Sequence, residues 1–187
     1  MARMMSNGID VVSFLKEQHE QIKQLFSEVR AAEGKPREEA FLSLRRLLAV
    51  HETAEEEIVH PAARRAIPDG DGVVDARLLE ENEAKKSLSR LEGLDIDSAE
   101  FETEFNLLER SVLTHARAEE TEEFNLLGSS LEPDRLERMR RAAEFAEKTA
   151  PTRPHPGVES PAANLFLGPF TAMLDRARDA LSSKRPS

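Results

Sequence analysis

The chain has 187 residues, no cysteine, no Trp and no Tyr, and its 36 Asp and Glu outnumber its 26 Lys and Arg for a formal charge of -10. That length suits one ordinary domain with appendages. The acidity, unrelieved by any Lys/Arg cluster, argues against a nucleic-acid partner, and the missing residue types exclude disulfides, thiolate metal sites, a Cys nucleophile and tyrosyl chemistry.

Apolar residues recur at steps of three and four through most of the chain, and strand patterns are nearly absent. The first helix is expected over about 9 to 32, where Val12, Leu15, Ile22, Phe26 and Val29 form a stripe interrupted by His19. "EGKP" breaks it. A second helix, about 37 to 67, carries Phe41, Leu44, Leu48, Ile58 and Ala62, with His51 and Glu55 in the gaps. After the turn "IPDGDG", a third helix over about 73 to 93 uses Val74, Leu78, Ala84, Leu88 and Leu91, and Glu81 completes its stripe. Ser98 or Asp97 can cap a fourth helix, about 98 to 127, whose stripe of Phe101, Phe105, Leu108, Val112 and Leu126 is interrupted by His115 and Glu119. Four amphipathic helices on short connections predict an all-α, up-down-up-down four-helix bundle.

"EPDRLERMRRAAEFAEKTA" predicts a short fifth helix, so residues 1–148 read as bundle plus fifth helix. Residues 149–161 read as a Pro-rich linker and 162–187 as an amphipathic C-terminal segment, whose "LFLGPF" is a candidate dimer contact. The expected state is monomer or homodimer. No apolar run reaches signal-peptide length at the start or the roughly 20 residues of a membrane span, so a cytoplasmic protein with no membrane partner is expected.

His51 to Glu55 and His115 to Glu119 share a spacing of four, which sets the two side chains side by side on a helix. Such pairs arise by chance fairly often; their position raises the odds. His19, His51, Glu55, Glu81, His115 and Glu119 all fall near mid-helix on apolar stripes, and in an antiparallel bundle such positions meet at one height. Six buried polar groups there would be very unfavourable without metal ions to satisfy them. Three carboxylates and three imidazoles suffice for two ions, with Glu55 and Glu119 as the bridging pair. The mixed oxygen and imidazole set suits non-haem iron first, manganese or zinc less well, with water, hydroxide or an oxo group between two irons.

"EQHEQI", "HETAEEEIVHPA" and "LTHARAEETEEF" on the first, second and fourth helices resemble the hemerythrin-like, or HHE cation-binding, domain over about residues 9 to 128. The resemblance implies that His19, His51, Glu55, His115 and Glu119 are iron ligands. It also places Glu81, with Asn82 one step away, where the family carries a histidine; a glutamate there favours the ferric state and counts against reversible oxygen carriage. The remaining glutamates, Glu52, Glu56, Glu57, Glu120, Glu122 and Glu123, read as a solvated face or as partners of the ligands. His60, nine residues after His51 and so about half a turn away, reads as a surface or packing residue, and His155 as a loop residue.

The functions this resemblance implies are binding of, or reaction with, a small oxygen or nitrogen oxide ligand (peroxide, O2 or NO). Catalase-like peroxide removal by a weak di-iron oxidoreductase is favoured, and an iron- or oxygen-responsive sensor or interaction module without turnover is the alternative.

Overall fold

A computed structural model describes residues 9–149, and among them every regular element is helical. The linker, the C-terminal segment with "LFLGPF", and His155 lie outside the described residues. The first rod of the bundle is α1 (Val11–Ala31). The second consists of α2 (Gly34–Ala54), a π-helical stretch Glu55–Val59 and α3 (His60–Ala66). The third is α4 (Gly70–Leu91). The fourth is α5 (Ala99–Ala118), a second π-helical stretch Glu119–Phe124 and α6 (Asn125–Ser130). These rods run up-down-up-down, and α7 (Pro133–Thr149) packs on α1, α2 and the first π-helical stretch.

Local chemistry sets the ends. Asp10 caps α1 by accepting from the Ser13 amide at 2.7 Å. Ser98 caps α5 by accepting from the Phe101 amide at 3.1 Å, as one of the two expected caps. Between α3 and α4 the chain reverses through Asp69, at φ 49°, into Gly70, where the backbones pass very close. A Cβ on Gly70 would stand 2.5 Å from the Ala63 carbonyl oxygen and 2.8 Å from Arg64 Cα. Gly70→Ala is therefore expected to destabilise the fold by about 1–3 kcal/mol, since backbone must move to admit the methyl group. A chemical denaturation curve checks this; an unchanged midpoint would mean that the turn yields freely.

The core is in two parts. Ile22, Phe26, Leu44, Leu48, Ala84, Leu88, Phe101, Phe105 and Leu108 belong to one apolar cluster. Val11, Leu15, Val59, Ala63, Val74, Phe124 and Leu127 belong to the other, which Leu136, Met139 and Ala143 of α7 extend. Along every rod the change from one cluster to the other coincides with the polar residues singled out above: Leu15, His19, Ile22 on α1; Val74, Glu81, Ala84 on α4. The bundle is thus two hydrophobic cores with a polar layer between them.

The stripes slip at the π-helical stretches. Ile58 and Leu126 were expected inside, yet Val59 and Leu127 are the fully buried residues, Ile58 is half-buried and Leu126 is exposed. The cause is the i→i+5 pattern, whose wider turn holds more residues, so each advances less than 100° around the axis. Beyond it the inward face has moved on by one position.

Candidate metal centre

Each imidazole in the polar layer is held from behind. His19 Nδ1 donates to Glu120 Oε1 at 2.8 Å, His51 Nδ1 to Gln18 Oε1 at 2.7 Å, and His115 Nδ1 to Glu80 Oε2 at 2.8 Å. This fixes each ring so that Nε2 faces the centre of the bundle, the arrangement by which outer carboxylates and amides orient metal-binding histidines. His19 Nε2 and His51 Nε2 stand 3.1 Å apart. Phe124 stacks on the His19 ring, centroids 5.7 Å apart, and adds a packed wall to the same orientation.

Glu119 faces both ways. Its Oε2 lies 3.3 Å from His19 Nε2 and its Oε1 3.3 Å from His115 Nε2. Glu55 Oε1 lies 3.3 Å from His51 Nε2. Two groups of donor atoms result, each within 4.8 Å internally: His19, His51, Glu55 and Glu119 in one, Glu55, Glu81, His115 and Glu119 in the other. All six sequence-predicted residues are brought together, and the two shared members are Glu55 and Glu119. Asn82 belongs to neither group.

The donor atoms are buried and unsatisfied. Both carboxylate oxygens of Glu55 and of Glu119, Oε2 of Glu81 and Nε2 of His115 lack a well-formed hydrogen-bond partner among the described residues, although Glu55, Glu81 and Glu119 are fully buried. Buried, unpaired carboxylates are among the least favourable groups a core can contain. Cations at the two groups would satisfy every one of these atoms, so the residues present fit the binding of two metal ions.

The electrostatics show the same need. Burial first, then the carboxylates of Glu119, Glu81 and Glu123, hold the Glu55 carboxyl well above the usual carboxylate range. Burial and the neighbouring His19 push His51 down to about 3, leaving it neutral as a ligand must be. For His115, burial lowers the pKa, but the charge and hydrogen bond of Glu119, the hydrogen bond to Glu80 and the charge of Glu81 together outweigh it, and the ring is held well above its ordinary value. Glu55 and His115 must therefore release protons to bind metal, and affinity is expected to rise with pH across the neutral range. Calorimetric titration in buffers of different ionisation enthalpy checks the released protons; a pH-independent affinity would contradict it.

The layer contains more than the sequence revealed. His60, read from the sequence as a surface or packing residue, is 2% exposed: Nε2 donates to Glu81 Oε1 at 2.7 Å and Nδ1 to Glu123 Oε1 at 2.9 Å. Burial would depress its pKa, yet the two carboxylates push it up to about 10. Glu52, Glu56 and Glu123, read as a solvated face or as partners of the ligands, are likewise buried. Lys85 pairs with Glu56, stands 3.8 Å from Glu52 Oε2 and reaches 4.0 Å from Glu81 Oε2. Desolvation raises the Glu52 carboxyl to about 8 against the pull of that ammonium group. The hints of this outer layer in the sequence are the density of Glu around each His and the step of four from Glu119 to Glu123, which keeps both on one helix face; the π-helical phase that turns His60 inward has no spacing signature.

A cavity of about 20 Å³ adjoins the layer, lined by His19, His51, His115 and Glu52 and by Ile22, Leu48, Ala84 and Val112. That is room for one water or a molecule of a few atoms.

Comparison with known proteins agrees with this geometry. A crystal structure of a hemerythrin HHE cation-binding domain-containing protein from Mycobacterium kansasii, an Rv2633c homolog, superposes with a TM-score of 0.67 over 75% of this chain and 86% of that one, at 20% identity, and shows the same fold. A DNA nickase from Nostoc sp. is 25% identical over 138 residues, 73% of this chain, which spans only 38% of that protein's length. No described helix is long and apolar enough to cross a membrane. The hemerythrin HHE cation-binding domain model matches residues 10–127, across the four rods and the whole polar layer, and the chain belongs to that family.

Proposed function

We propose that this chain is a non-haem di-iron protein that binds or reacts with a small oxygen species, with peroxide removal the favoured chemistry. The observation that carries the reading is the pair of donor groups sharing Glu55 and Glu119, whose carboxylate oxygens are buried and unsatisfied. His19 and His51 would hold one ion and His115 and Glu81 the other, with Glu55 and Glu119 shared between them. Iron bound there would supply a two-electron redox couple and open positions for an exogenous ligand.

The chain's own residues set the rest. Gln18, Glu80 and Glu120 keep the three imidazoles in the tautomer that presents Nε2. The small cavity has room for a ligand of a few atoms, and Ile22, Leu48 and Val112 give it apolar walls. Glu52, at the cavity and near Lys85, gives one wall the polarity to meet a proton-bearing ligand such as hydrogen peroxide. Metal analysis and an absorption spectrum of protein prepared with iron, followed by peroxide addition with oxygen evolution recorded, test the reading. About two irons per chain and turnover are expected; less than one iron per chain would sink it.

One contact favours the sensor alternative. Gln18 accepts from His51 and, through Nε2, donates to Glu147 Oε1 of α7 at 2.7 Å, so the layer is tied to the helix that precedes the C-terminal segment. A sensor would lose hydrogen-exchange protection in α7 when iron is chelated and show no peroxide turnover.

A further inference from the structure

Glu81 differs from the other donors in the layer. Glu55 and Glu119 have no hydrogen-bonded oxygen, whereas Glu81 Oε1 is engaged by His60 and only Oε2 is left unbonded. Lys85, the nearest other cation, is 4.0 Å from that Oε2, beyond hydrogen-bond reach. His60 is fixed in turn by Glu123, fully buried on the opposite rod.

We propose that His60 is the positioning residue for the second metal position, clamped between Glu81 and Glu123 so that Glu81 offers one oxygen, Oε2, to the ion shared with Glu55, His115 and Glu119. The inference rests on the di-iron reading and deepens it. A carboxylate left free in that place would add a full negative charge and two interchangeable oxygens to a layer already rich in carboxylates. With its Oε1 tied to the His60 ring, Glu81 presents a single donor atom. In this way α3 leaves α4 with one free donor atom at that place, as a histidine there would offer. The π-helical stretch that begins at Glu55 is what allows it, since an uninterrupted α-helix would turn residue 60 about half a turn away from residue 51.

The full chain and its variants, titrated with iron(II) under anaerobic conditions by calorimetry and analysed for bound iron after desalting, test this. The wild type is expected to take two ions. His60→Phe should bind the first with unchanged affinity and the second at least tenfold more weakly, the scale on which outer partners of ligands act. The double variant His60→Phe with Glu81→His should recover the second ion, because a neutral ligand needs no such partner; a merely structural role for His60 would give no recovery. Glu123→Gln, nearly isosteric, should weaken the second ion in the same direction and serves if His60→Phe does not fold. Equal weakening of both ions, an unaffected second ion, or no recovery in the double variant overturns the inference. So does a third ion in the wild type that His60→Phe loses, which would make His60 a ligand with Glu119 and Glu123. A wild type that takes no iron sinks the di-iron reading itself, an outcome distinct from all of these.

Discussion

Glu55→Gln is expected to lower the melting temperature of the iron-loaded protein by about 10 °C while leaving that of the metal-free protein unchanged or higher. The two effects have one origin. At free metal a thousand times Kd, binding contributes about 4 kcal/mol to stability. A chain of this size shifts by roughly 2–4 °C for each kcal/mol. Glu55 is shared by both donor groups, so an amide there removes a charged oxygen from each. Without metal the carboxylate is a burden: burial and then Glu119, Glu81 and Glu123 raise its pKa well above the ordinary value. A carboxyl whose folded pKa is raised destabilises the fold increasingly as pH climbs above its unfolded pKa, up to the folded one. A neutral amide of the same shape escapes that, so the metal-free variant should gain on the wild type at higher pH. Scanning calorimetry of both proteins, loaded and chelated, at two pH values checks the prediction. Equal destabilisation in the two states would show that Glu55 is structural and not a ligand.

Glu119→Ala is expected to reduce bound iron from about two per chain to fewer than one, whereas Glu120→Ala keeps two ions with affinity reduced about 10–100-fold. Neighbours in sequence, these residues play different parts. Glu119 is fully buried, its oxygens directed one to His19 and one to His115, and it belongs to both four-residue groups. Glu120 is half-buried and meets His19 at its far nitrogen, Nδ1. Removing the first deletes a donor from both positions; removing the second loosens one ring. Metal analysis after desalting, with circular dichroism to confirm the helices, separates the two outcomes. Equal iron content in the two variants would contradict the assignment of Glu119 as the shared carboxylate.

Much of the layer was legible because α-helical periodicity is regular. His19, His51 and Glu81 sit on stripes whose apolar members form the two cores, and the bundle brings these mid-helix positions to one level. Their neighbours Gln18, Glu80 and Glu120 were not distinguishable from any other polar residue beside a ligand. Each earns its role from a facing rod: Gln18 of α1 meets His51 of α2, Glu80 of α4 meets His115 of α5, and Glu120 of the fourth rod meets His19 of α1. Such pairings depend on rotation and height between rods, which no single helix encodes.

By itself the sequence determined the helices, their order, the apolar stripes and six residues of the polar layer, because each follows from a repeat of three and four along one chain. Tertiary structure alone decided what lies inward beyond Glu55 and Glu119. There two π-helical stretches shift the phase, exchange Ile58 for Val59 and Leu126 for Leu127, and turn His60 into the core, where it meets Glu123. The wider turn is one that its own hydrogen bonds do not favour. It forms where the packing of four rods around a set of buried charges makes the altered phase more favourable than a regular helix.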